Sequence, residues 1–315
     1  MNRTVAHPAW LVLLGACSFG LLSTMVKLAQ QDGFLTSDIT SSQFIIGALI
    51  SWVVAWGKRE MDKKKGRMRL SPSVSIPQAA SLMAVGTFTG LTGLLVNYSL
   101  IYLNASLVVM LLFQFAWMGV ALDAVIARKL PGKAQLAAVM LLFAGTALST
   151  GVLESGRTAA SWPFAGVVLG LAAAATFTLF LFGSGKAAAQ TDPFIRSAYM
   201  MTGAAVVLAF IHPPIFVLNG SLAAGLWKWG LMLAVFGGAL PTLLLAIGVP
   251  RLSAGLASIL SAAQLPTVIL VSSLVLKETF NLLQWLGVAI VLLGIAWPEI
   301  VGRTGARKQR SKETG

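Results

Sequence analysis

The sequence predicts an all-α integral membrane protein. Ten transmembrane helices are built as two inverted five-helix repeats, with the N- and C-termini cytoplasmic. Three observations predict this. First, 57% of the 315 residues are hydrophobic and only 10% are charged, with a mean hydropathy of +0.83. A soluble domain carries about 25% charged residues. This chain lacks the polar groups to cover a surface facing water, so lipid is its solvent. Second, the apolar residues fall into ten stretches, most of them close to the ~20 residues that an α-helix needs to cross ~30 Å of hydrocarbon. Third, Ala105 falls on Ala254, Gln135 on Gln284 and Gly145 on Gly294, all at an offset of 149. One offset held over about forty residues marks a duplicated half-chain. Five spans per half is an odd number, so the halves enter the membrane with opposite polarity, the usual build of secondary transporters.

The stretches run over 9–29, 40–57, 77–102, 106–127, 134–153, 162–185, 194–218, 226–249, 254–276 and 281–300. They divide into a first repeat (1–153), a second repeat (154–300) and a basic cytoplasmic tail (301–315). Pro8, Pro77, Pro163 and Pro193 stand at or just before span starts, where a missing N–H costs nothing. In the first stretch lies the single cysteine, Cys17. It excludes an intrachain disulfide and reads as a small buried hydrophobe. Leu14-Gly15-Ala16-Cys17 loosely resembles a lipoprotein cleavage site. Cleavage there would delete half of the first helix, and no polar mature domain follows.

Between the third and fourth stretches a polar corner, Asn104-Ala105-Ser106, turns the chain inside the segment Asn97–Asp123. The same figure returns over Ala246–Ser272. Gly86-x-x-x-Gly90 and Gly166-x-x-x-Gly170 place small residues one turn apart for close helix packing. In the eighth stretch Gly237-Gly238-Ala239-Leu240-Pro241 predicts a proline kink, with local unwinding as the alternative.

Charge sets the orientation. With the N-terminus inside, every one of the 23 Lys and Arg except Lys27, Arg157, Lys228 and Lys277 falls on the cytoplasmic side. That is the positive-inside asymmetry, and it accounts for the net charge of +13. The run Lys63-Lys64-Lys65 then reads as a juxtamembrane patch facing anionic lipid rather than a nucleic-acid site.

Taken together, these residues resemble the drug/metabolite transporter superfamily, in its ten-helix EamA-type form. The resemblance rests on Phe19-Gly20 to Lys27, Asn97-Tyr98 to Tyr102, the corner Asn104-Ala105-Ser106, Gln264-Leu265-Pro266, Lys277-Glu278, and Gln284-x-x-Gly287 to Gly294. It covers both halves. The sequence departs from the pattern in its first repeat, with Trp117 where the second has Pro266, and Lys129 where the second has Glu278. The resemblance implies alternating access by rocking of two bundles. The first, third and fourth helices of each half would line a central cavity, with the fifth helices outside. The inverted repeat and an uncharged polar midplane predict a secondary transporter of small polar metabolites such as amino acids, in a bacterial cytoplasmic membrane, and the resemblance implies export. A multidrug exporter, or an importer of the same fold, is the alternative within transport. A non-transporting assembly factor is the alternative outside it.

A polar side chain within hydrocarbon is costly and often functional. In cavity-lining spans these are Thr89, Asn97 and Tyr98 (third), Gln114 and Trp117 (fourth), Thr242 (eighth), and Ser261 and Gln264 (ninth). Gln114 and Gln264 lie within one residue of equivalent places in the two halves. Two amides facing one cavity bind a carboxylate, an amine or an amide without fixed charge. The plain reading of each is an interhelical hydrogen bond worth about 0.6 kcal/mol. Lys27 and Asp123 are charges within spans and candidates for gating or coupling. Lys27 is alternatively a snorkelling lysine, and Asp123 a partner of Arg128 or Lys129. No acid lies between Trp10 and Ala29, which argues against drug cations held by a buried carboxylate. One Cys and two distant His build no metal site. No Gly-Lys-Ser/Thr phosphate loop is present, so no cofactor and no ATP is expected. A membrane enzyme would want clustered His, Asp or Glu at mid-depth, and the spans offer only Asp123. The expected partners are a small-molecule solute and the lipid bilayer. A monomer suffices, because two fused halves supply both faces of the cavity.

Overall fold

The computed structural model describes residues 8–65, 74–103, 105–151 and 163–313. Asn104, the boundary at 153–154 and the cations Arg3, Arg67, Arg69 and Arg157 lie outside the described residues. Among the described residues the chain is entirely helical. In order these helices are α1 (Pro8–Gln31), α2 (Thr36–Lys64), α3 (Ile76–Tyr102), α4 (Ala105–Leu112), α5 (Phe115–Ala127), α6 (Lys133–Ser149), α7 (Phe164–Lys186), α8 (Pro193–Ile211), α9 (Trp227–Ala234), α10 (Leu240–Gly248), α11 (Ala254–Ser261), α12 (Gln264–Val275) and α13 (Leu282–Glu313). Eight helical units are long and apolar enough to cross a membrane, and the apolar parts of α6 and α13, Lys133–Ser149 and Leu282–Pro298, are shorter. Seventeen residues at 1.5 Å each give α6 about 25 Å. Each of the ten predicted stretches thus holds a helix among its described residues, but two fall short of a full span by length.

Local chemistry explains the edges. Asp192 accepts the Phe194 N–H at 2.9 Å and caps α8, and Pro193 fills its first position. The predicted end of this helix at residue 218 is corrected to Ile211. Pro213 and Pro214 supply no backbone N–H and push the preceding residue out of helical geometry. A short 3-10 turn, Ile215–Val217, follows. The predicted kink at Pro241 is also corrected. The chain instead forms a π-helical turn over Val235–Ala239 that runs on into α10, and Pro241, which has no N–H, leaves the Gly237 carbonyl four residues earlier without its helical donor.

The offset of 149 is realised in three dimensions. Arg128 and Lys277 both close their helices with a left-handed residue, at φ 51° and 54°. Gln135 accepts the Gly132 N–H at 3.2 Å at the start of α6. Gln284 does the same for Asn281 at 3.0 Å at the start of α13. The repeated glutamine is thus a helix-start cap that satisfies an orphan donor. Packing follows the same correspondence. α3 packs on α7 and α8, and reciprocally α10 packs on α1 while α9 packs on α2. α2 meets α8, and α6 meets α13. The α6–α13 seam closes through Gly145, Gly287 and Gly294, each set against the partner helix. Lipid gives no hydrophobic drive between helices, so such close van der Waals approach holds the seam.

Candidate functional site

The fourth and ninth spans are each broken in two, at the same register. Phe113–Gln114 separates α4 from α5, and Ala262–Ala263 separates α11 from α12. At both breaks the ladder tightens to bonds spanning three residues. Gln114 donates to Leu111 O and Ala116 to Phe113 O, both at 3.1 Å; Ala263 donates to Leu260 O and Leu265 to Ala262 O, also at 3.1 Å. Pro266 does not cause the second break, since the first half breaks alike with Trp117 in its place. It stands in the first turn of α12, where its missing N–H would have had no partner. A tightened stretch inside a span is often a functional hinge.

The predicted glutamines flank these breaks, in different surroundings. Gln114 donates to Met110 O at 3.0 Å and accepts the Trp117 indole N–H at 2.9 Å. The pair borders a small cleft with Val139, Leu142, Phe143 and Thr146 of α6. Gln264 is 9% exposed, and among the described residues no partner takes its amide. Its backbone carbonyl lies beside Gly20 of α1. Ser261 is buried on the other side of the same break, with its hydroxyl unpartnered. Thr267 bonds back to Ala263 O at 3.0 Å.

The remaining candidates are spread along the helices. Thr89 is buried in α3. Thr242 is buried in α10, with its hydroxyl 3.5 Å from the Met201 sulfur of α8. Asn97 donates to Thr40 of α2 at 3.1 Å. Tyr98 lies 3.4 Å from His212 Nε2, at the end of α8. Lys27 pairs with Glu278, just past α12, on the surface. α1 runs alongside α12, with the Thr24 and Ser272 hydroxyls 3.3 Å apart. The Asp123 carboxylate accepts the Gly255 N–H at 3.3 Å. Among the described residues no three of His, Cys, Asp and Glu come together as a metal site.

Several polar groups at the helix interfaces were not among the candidates. Ser18 of α1 donates to Phe236 O at 2.5 Å, and Gln43 of α2 donates to Gly237 O at 2.9 Å. Both carbonyls belong to the π-helical turn. An apolar stretch beginning at residue 40 takes in Gln43 unremarked, yet a buried amide in a lipid-soluble helix was itself the signal. Asp38 is buried at the start of α2, bonded by Asn219 at 3.2 Å. Arg196 is buried in α8, so the expectation that Lys27 and Asp123 are the notable charges within spans is corrected.

An all-helical chain with paired, hinge-broken spans and uncharged polar side chains beside the breaks belongs to the class of multi-pass membrane transporters. Comparison with known families makes the assignment specific. The EamA-like transporter family matches residues 8–151 and again residues 164–297, and this chain belongs to that family, within the drug/metabolite transporter superfamily. A solved structure titled "Crystal structure of protein" is similar in fold. It has a TM-score of 0.71 at 15% identity, over 96% of this chain and 99% of that one. No curated protein matches the sequence.

Proposed function

We propose that the protein is a secondary transporter of small polar metabolites, amino acids among them, working by alternating access between inverted halves in a bacterial cytoplasmic membrane. The observation that carries this reading is the unpartnered, buried Gln264 beside a hinge in the ninth span, with Gln114 beside the equivalent hinge in the fourth. Broken helices near mid-membrane are where secondary transporters hold their solutes. Uncharged amides and hydroxyls suit a zwitterion or a neutral solute. The reciprocal packing of the halves supports the inverted arrangement. The absence of an acid between Trp10 and Ala29 speaks against a drug-cation exporter. The export direction follows from the family resemblance.

The test is flux of a labelled amino-acid mixture in proteoliposomes, with wild type beside Gln264→Ala and Gln114→Ala/Gln264→Ala. Wild type carries at least one amino acid. Gln264→Ala cuts flux about tenfold, the worth of one buried hydrogen bond, and stays monodisperse in detergent. Full flux in the double variant would remove the glutamines from the site. No wild-type flux for any amino acid would remove the substrate class.

A further inference from the structure

The correspondence between the halves fails most at α11. α5 and α11 pack closely, whereas their counterparts, α12 and α4, make no comparable contact among the described residues. The α5–α11 contact joins the first half to the second through small residues. Gly119 lies against the Ser258 side chain and the Ala254 carbonyl, and Gly255 lies against the Val120 backbone. A side chain at Gly119 would hold the helices apart, and at Gly255 it would press on Asp123 and Val120. Across this plate the Asp123 carboxylate accepts the Gly255 N–H at 3.3 Å. Ser253 accepts the Leu256 N–H at 3.2 Å on the same turn. The first half thus supplies a carboxylate to the N-terminus of a second-half helix, where orphan N–H groups and the helix dipole both favour negative charge.

At the offset of 149 the other contact would oppose Val268 and Val109, where this one has Gly119 and Ser258. Asp123 becomes Ser272, whose hydroxyl is engaged with Thr24 of α1. The second mouth therefore has neither the glycine plate nor the carboxylate. The tight mouth carries a cost of its own. The Ser258 and Ser261 hydroxyls, one turn apart on α11, are buried without partners, and a stranded hydroxyl disfavours the closed arrangement. Parting of α5 from α11 would return both to water or solute.

We propose that the α5–α11 contact is the gate of one mouth of the transport path, latched by Asp123 on the N-terminus of α11. This mouth is the one closed at rest, because only it has the small-residue plate and the carboxylate. The proposal rests on the transporter reading above and adds which residues shut which end.

The experiment reads the gate without solute. Single cysteines are introduced by Ser261→Cys or Val268→Cys into a Cys17→Ser background, and their alkylation by a hydrophilic maleimide is timed in purified protein. Asp123→Ala raises the rate at position 261 about tenfold, the equilibrium worth of one charge-assisted hydrogen bond, and lowers it at position 268. Gly119→Leu, which wedges the plate, does the same by a second route. Unchanged rates at position 261 in both variants would overturn the latch. A rise at both positions would also overturn it, because that is loosening and not gating. A failed amino-acid flux assay with intact opposite shifts would remove the substrate class and leave the gate standing, while lost shifts with intact flux would sink the latch alone.

Discussion

Arg196 is the largest fully buried side chain among the described residues, and it is charged. Its guanidinium donates from Nε to Ala187 O at 3.1 Å, from Nη1 to Ala246 O at 2.8 Å, and from Nη2 to Ser184 O. These carbonyls belong to the last turns of α7 and α10, where the helix leaves acceptors free and the dipole is negative. Two helix ends thus stand in for a counter-ion. The sequence presents Arg196 as one more cytoplasmic cation, because its acceptors lie up to fifty residues away. Arg196→Met strands the carbonyls and lowers stability by about 2–4 kcal/mol, read as an earlier thermal midpoint in detergent. Arg196→Lys recovers only part of it, since an ammonium cannot span the fork of acceptors. An unmoved midpoint in the Met variant would show that the helix ends find other donors. The Gln114–Trp117 bond shows the opposite limit. Their spacing of three was plain in the sequence, and the bond formed where the spacing put it.

At the scale of elements, most starts and stops follow from local chemistry and were readable. The prolines at helix starts were read as such, while the glutamine caps at 135 and 284 and the double proline after α8, which the predicted stretch to 218 ran through, act just as locally. The Gly237–Pro241 motif marked Val235–Ala239 as an irregular place in the span, but did not show that it would take the form of a π-helical turn. Its freed carbonyls are held by Ser18 and Gln43, from helices roughly two hundred residues earlier. Gln43→Leu leaves Gly237 O unsatisfied and costs about 1–3 kcal/mol, whereas Gln284→Ala at a helix start costs about 1 kcal/mol. Denaturant titration in mixed micelles separates the two. Equal losses would mean that the π turn does not depend on its distant donor. The exposed Lys27–Glu278 pair gains little from charge alone, roughly 0–1 kcal/mol. Lys27→Ala therefore leaves the unfolding midpoint nearly unchanged.

At the scale of the molecule, the repeat organises everything. Broken spans, left-handed caps and helix-start glutamines recur at one offset, and the main packing contacts of one half have their reciprocals, the largest exception being α5–α11. Ten spans, an even total, would put the N- and C-termini on the same side, and the distribution of Lys and Arg leads us to expect that side to be cytoplasmic. Protease sites added at each end are expected to be cut in inside-out vesicles and protected in right-side-out ones. Cleavage of the two ends from opposite sides would break the ten-span, inverted description and with it the identity of the two mouths.

The sequence by itself determined the solvent, the ten helical stretches, the repeat and the family. Each of these is written in quantities that sum along the chain, namely hydropathy, periodicity, charge and register. Only the tertiary structure decided which polar residues are satisfied and which are stranded. Gln114 is taken up by its own helix, Gln264 is left alone, Arg196 is drawn inside, and Asp123 is set on the end of α11. A hydrogen bond depends on a few tenths of an ångström between groups far apart in the chain, and no sum along the sequence contains that distance.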